Sequence, residues 1–318
     1  MKEAIKIRFY FAILIIPLGV LLNFLAILVF IRRKLNKNSI FGFLNTWLCG
    51  FNLIDLLNEF IFSILSYNEI DPITYSSFTC KFLYGLIKYV NHLPSVHMII
   101  MAFYLYITIC HPTKKDFFGK HKFTIIIANL TLITIIDCIF IVYDRQMTEM
   151  ESINSSNISY SIFECKTKQS LDFFIDWLDL SIRAFIPFCL ILFLNILSIK
   201  KFSQNKMLKK SKTHTSKKVN FTNAIFLTNF MFLIIYLPWS IFFIIYHLNH
   251  SFQIAKNVSD SKSFEIGFVI FQSIAYLNNM DSFLINYSFN SIFREELLTL
   301  FHLNLNRIIN YDSSKTNK

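Results

Sequence analysis

Seven long apolar runs divide this chain and restrict its possible folds more than any other feature. They cover residues 9–31, 40–65, 82–110, 123–143, 173–199, 219–248 and 264–289. About 20 residues at roughly 1.5 Å per residue cross the hydrocarbon layer of a bilayer, and each run reaches that length with some tilt. The composition agrees. The chain is 54% hydrophobic and 16% charged, whereas soluble domains hold about 25% charged residues. The first run follows a short basic segment, as in a signal peptide, but it is long and lacks a small-x-small cleavage site, so it reads as a spanning helix.

The net charge of +11 could suggest a nucleic-acid partner, yet the basic residues form short clusters between apolar runs. That pattern points to the lipid bilayer and membrane topology, with no nucleic acid. Arg32, Arg33, Lys34 and Lys37 occupy the first connection, and Lys114, Lys115, Lys120 and Lys122 the third. The fifth is lysine-rich from Lys200 to Lys218. The alternate connections carry Glu69, Asp71, Asp144, Glu149 and Glu151. The odd connections therefore belong in the cytoplasm and the N-terminus outside, with Lys2, Lys6 and Arg8 dissenting. Sequons at Asn154, Asn157, Asn249 and Asn257 fall on the outer side as glycosylation candidates, although Asn220 begins one on the inner side. Of six cysteines, only Cys80 and Cys165 lie at the outer face; Cys49, Cys138 and Cys189 sit inside runs and Cys110 at an inner end. Ile158, Tyr160 and Ile162 alternate, which predicts a short hairpin strand.

Ionisable groups inside a spanning run should face protein or water, since lipid penalises them. Asp55 needs polar partners, for which Asn23, Asn279 and Asp281 are available. The third run carries Lys88, His92, Pro94 and His97. Lys88 either faces a cavity or reaches up to the outer interface. Asp176, Asp179 and Arg183 share one helix face. They form either a self-neutralised Asp179–Arg183 pair or a charged cavity wall. His92 and His97 are five apart, off any common face, so metal or hydrolase chemistry finds no support and the chain is not read as an enzyme. The sixth run is aromatic, and Tyr236 and Trp239 are its candidates for a pocket floor.

The last third of the third run, MAFYLYITICHP, resembles the inner end of the third helix in rhodopsin-like G-protein-coupled receptors. Other marks occur in the same order. Gly19 and Asn23 resemble the family's first-helix pattern, and Asp55 sits in its second-helix acid position. His111-Pro112 follows the third helix, Pro187 fits the fifth, and Phe232, Tyr236 and Pro238 fit the sixth. Phe293-Arg294 resembles the start of the family's short eighth helix. The resemblance implies an all-α membrane protein: a seven-transmembrane helix bundle with a short amphipathic eighth helix. Residues 1–8 would be an extracellular tail, 9–290 the receptor domain, 291–303 the eighth helix and 304–318 a cytoplasmic tail. It further implies a Cys80–Cys165 disulfide, the alternative being two free cysteines. A sodium ion is implied near Asp55, the alternative being a purely structural polar network. No other cofactor is implied.

The implied function is a plasma-membrane receptor, N-terminus outside, that passes binding of an extracellular ligand to a heterotrimeric G protein. Lys88, His92, Asp179, Arg183, Tyr236 and Trp239 would line the ligand site. Ile87 stands where amine receptors of the family carry aspartate, and no lysine occurs between residues 264 and 289, where opsins carry one. A peptide is favoured, given the long second outer connection. The departures are plain. Tyr104-Leu105-Tyr106 replaces the acid-Arg-Tyr triplet, Tyr236 replaces a tryptophan, and the seventh run lacks the usual proline. A receptor fold with weak or no coupling, as a decoy or heteromer subunit, is the alternative. A transporter is remote, since repeated halves are not evident.

Overall fold

The computed structural model describes residues 2–32, 40–111, 115–139, 145–153, 159–167, 172–204, 215–252 and 262–301. Its first span is two helices end to end, α1 (Lys2–Leu14) and α2 (Ile16–Phe30). Pro17 lacks an amide hydrogen and opens the ladder locally. The Ile15 N–H still bonds Phe11 O at 2.9 Å and the Gly19 N–H bonds Ile15 O at 3.1 Å, so the two pieces run on as one span. The segment expected as an extracellular tail over residues 1–8 is helical from Lys2.

α3 (Ile40–Tyr67) leads through a 3₁₀ turn (Pro72–Tyr75) into α4 (Ser77–Cys110). Ser76 and Thr79 form a capping box, each side-chain oxygen accepting from the other's backbone N–H at 3.1 and 2.9 Å. The 34 residues of α4 extend roughly 51 Å at ~1.5 Å each, well beyond a ~30 Å hydrocarbon core, so the helix can tilt and still project. It is the central element, packing on α3, the fourth-span helix, the fifth span and the sixth.

The short α5 (Lys115–Lys120) precedes α6 (Lys122–Ile139). An antiparallel hairpin follows, β1 (Arg145–Ile153) with β2 (Ser159–Thr167), in a register that sets Met147 opposite Cys165. The expected strand is there; its partner β1 was not foreseen, because RQMTEMESI shows no apolar alternation. The fifth span is α7 (Asp172–Leu180), a π-helical turn (Ser181–Phe185) and α8 (Ile186–Gln204). α9 (Thr215–Phe252), α10 (Lys262–Phe289) and α11 (Ser291–Leu300) complete the described elements. Cys80, at the head of α4, is joined to Cys165 of β2, with Cα atoms 5.6 Å apart.

Among the described residues, five segments are long and apolar enough to cross a membrane. α6 packs on α4, and α10 packs on α9 and the first span. The bundle is arranged inside out relative to a soluble protein. Leu21, Phe24, Ile127, Ile135 and Phe193 are more than half exposed on its flanks, where lipid would cover them. Asn23, Asn52, Asp55, His92, Asp137 and Asn279 are buried within.

Asn290 ends α10 and caps α11, its side chain accepting from the Phe293 N–H at 3.2 Å. Phe293 is fully buried between Phe30 and Phe283, which seats α11 on the bundle. Arg32 holds the same helix through Glu296, Nε to Oε2 at 3.1 Å. Residues 302–318 lie outside the described residues, as do three sequon asparagines, Asn154, Asn157 and Asn257. Asn249 falls in the last turns of α9.

Candidate functional site

At the end of the bundle that carries the disulfide lies a cavity of about 570 Å³, within the range of small-molecule sites. α1, α3, α4, the fifth span, α9 and α10 all contribute walls. Four of the predicted ligand residues line it: Lys88, Asp179, Arg183 and Trp239. Ile87 lines it too. His92 and Tyr236, predicted alongside them, are buried behind the wall and are not among its lining residues.

The wall is built around a four-residue charge relay. Lys88 of α4 donates to Asp179 Oδ2 at 2.6 Å. His92, one turn further along α4, places Nε2 at 2.9 Å from Asp179 Oδ1 and Nδ1 at 2.7 Å from Asp137 Oδ1 of α6. Each ring nitrogen faces a carboxylate oxygen, an arrangement satisfied when both donate. Two carboxylates then meet an ammonium and an imidazolium, and the cluster ties α4 to α6 and α7. The predicted alternative for Lys88, reaching up to the interface, does not occur. His97 points elsewhere, Nε2 at 2.9 Å from Leu44 O, as its five-residue offset from His92 requires.

Of the two arrangements open to Asp179 and Arg183, the cavity wall is the one present: both residues line the cavity and they form no direct ion pair. Both carboxylate oxygens of Asp179 are taken by Lys88 and His92. Between the two residues the helix opens into the π turn, where the Ile186 N–H bonds Ser181 O, five residues back. The wider turn rotates Arg183 away from the face Asp179 occupies. Its guanidinium lies over the Trp239 ring at 4.8 Å and near Tyr276 at 5.8 Å, a cation–π arrangement. Asp176 belongs to α7, and its side chain lies outside the described set.

Arg8 and Glu59 also line the cavity, and Arg8 reaches both oxygens of Glu59. Ser63 donates to Glu59 Oε1 at 3.1 Å. Arg8 counted against the predicted orientation as an outer positive charge; its charge is matched inside the bundle. Sequence reasoning passed over Glu59 and Asp137, although each is an acid within an apolar run, the signal that singled out Asp55. Tyr276 carried no such signal.

Below the cavity, Asn279 donates to Asp55 Oδ2 at 2.6 Å, and Asn23 Nδ2 donates to Asn279 O at 2.6 Å and Gly19 O at 2.9 Å. Three of the four residues predicted for a polar cluster thus meet. Asp281 is the exception: it is buried, but among the described residues no hydrogen bond joins it to the other three. Two residues past Asn279 on a helix, it points about 200° away. Asp55 Oδ1, Asn23 Oδ1 and Asn279 Oδ1 have no hydrogen-bond partner. Buried oxygen acceptors without donors suit a hard cation such as sodium.

At the far end, Tyr104 and Leu105 are buried and Tyr106 half-buried. Tyr104 packs on Phe118 of α5, ring centroids 5.8 Å apart, and Phe103 approaches the same ring at 5.9 Å. An apolar contact closes this end where the familiar triplet would place an ion pair.

A family model described as "7 transmembrane receptor (rhodopsin family)" matches residues 22–281, well over half of the chain. No curated protein matches it at a significant level.

Proposed function

The chain belongs to the rhodopsin family of seven-transmembrane receptors, a family of non-enzymatic G-protein-coupled receptors, and on that premise we propose that it binds an extracellular ligand, a peptide for preference, in the cavity at its disulfide end. The observation that carries this reading is the cavity itself, with Lys88, Asp179, Arg183 and Trp239 in its walls. The hairpin supports a peptide: β2 packs on the 3₁₀ turn and β1 on α4, beside the cavity. In this reading the protein sits in the plasma membrane with its N-terminus outside. Asn154, Asn157, Asn249 and Asn257 then face the glycosylating compartment, and Asn23, Asp55 and Asn279 would hold a sodium ion.

The partner at the far end is a heterotrimeric G protein, engaged by the lysine-rich segment 200–218 and α11. Leu105, in the arginine position and almost fully buried, favours a second reading, a receptor that binds without coupling. One experiment separates the two. The chain is expressed with a panel of G proteins, and nucleotide exchange is measured against a peptide library. Weak ligand-driven exchange above a measurable basal rate supports the receptor. Binding without exchange for any G protein gives precedence to the decoy.

A further inference from the structure

Among the described residues, Arg8, Lys88, His92 and Arg183 bring basic side chains into this end of the bundle, and the first three are answered. Arg8 meets Glu59, Lys88 meets Asp179, and His92 lies between Asp137 and Asp179. Arg183 is different. It is 5% exposed, its Nε has no hydrogen-bond partner, and among the described residues no carboxylate lies within ion-pair distance of it. A guanidinium offers five N–H donors and no acceptor, and burying one without a counter-charge is costly. Trp239 and Tyr276 take its faces and the Tyr236 hydroxyl meets one point of its edge, which leaves the remaining donors, Nε among them, for a planar partner. All three residues line the cavity, and the Asn91 Oδ1 on the same lining is also unpartnered.

We propose that Arg183 anchors a carboxylate, and that the ligand of this cavity presents that carboxylate on an apolar body. This rests on the reading of the cavity as the ligand site. Phe243, Phe268 and Trp239 supply apolar wall for the body. Glu69 and Asp71, both exposed, also line the cavity, between the end of α3 and the 3₁₀ turn. They set the opposite sign there, so the ligand enters carboxylate first, with a polar or cationic end trailing. Such a group is carried by the free C-terminus of a peptide or by a small organic acid.

The test uses the purified full chain in lipid nanodiscs and reads thermal unfolding with matched probes at millimolar concentration. The probes are the tripeptide Gly-Phe-Phe as free acid and as C-terminal amide, and 3-phenylpropanoate with its carboxamide. At least one acid should raise the melting temperature while its amide does not. A shift with the peptide acid alone identifies a peptide terminus; a shift with both admits small acids. Arg183→Gln should weaken the acid about tenfold or more. Arg183→Met, which removes the unmatched charge, should make the empty receptor melt at a higher temperature than the parent. The proposal is overturned if no acid shifts the transition, if acid and amide act alike, if Arg183→Gln keeps the full response, or if Arg183→Met melts lower. Nucleotide exchange on the same samples keeps the two readings apart. An acid-specific shift without exchange leaves the anchor standing and counts against coupling. Exchange driven equally by acid and amide refutes the anchor and leaves the receptor.

Discussion

Gly19 of α2 sits against side chains of both α3 and α10. A Cβ built there would lie 2.8 Å from Met280 Cγ and 2.9 Å from Leu56 Cδ1, nearer than real contacts allow. Small residues let membrane helices approach one another where the hydrophobic effect cannot drive them together. Gly19→Ala should therefore cost about 1–3 kcal/mol through overpacking. Gly50, also helical, has nothing within 4 Å of the same added atom, so Gly50→Ala should be neutral or stabilising by up to ~1 kcal/mol. Thermal unfolding of the two variants in micelles decides it, and equal losses would refute the packing argument. The bridge between Cys80 and Cys165 belongs to the same scale. Cys80→Ser and Cys165→Ser should each lower stability by about 2–4 kcal/mol, while Cys189→Ser, at an exposed thiol, should not. Three variants behaving alike at the cell surface would count against the bridge.

Among elements, α4 holds the architecture through one imidazole. His92 is fully buried between Asp137 of α6 and Asp179 of α7, and removing it leaves two carboxylates without their common partner. Breaking a buried charge pair from one side costs about 3–5 kcal/mol, so His92→Ala should reach the surface poorly. Asp137→Asn removes one of the stranded charges and should cost less in the His92→Ala background than in the parent. A double-mutant cycle on unfolding reads that coupling, expected at about 0.5–3 kcal/mol. Additive losses would mean that the two groups act independently.

For the whole molecule, the question is how one end informs the other. Leu105 lies in the main apolar core and Tyr104 packs on Phe118, so the far end is held shut by apolar contact. An aromatic pair contributes about 0.5–1.5 kcal/mol beyond its burial, enough to shift a two-state balance several-fold without locking it. Phe118→Ala should raise basal nucleotide exchange, and Leu105→Arg should raise ligand-driven exchange by restoring the cation that the family presents to its G protein. If neither variant alters exchange with any G protein, control of coupling lies elsewhere in the bundle.

The apolar runs in their order and the meeting of Asn23, Asp55 and Asn279 were legible in the chain alone, and the family resemblance added the Cys80–Cys165 pair. Hydropathy and charge act locally, and a lone acid in an apolar run announces its need for partners wherever the run ends up. Partner choice was not legible. Asp179 turned to Lys88 and His92 and left Arg183, because a π turn between them changed the helical phase, and residue spacing carries no record of that turn. Arg8 was counted as an exposed charge on a tail, yet α1 is helical and delivers it to Glu59. Asp281 was available as a polar partner for Asp55, but it lies two residues past Asn279 and points away from it. Which groups a helix can offer is written along the chain. Which of them meet depends on rotations and crossings that only the assembled bundle decides.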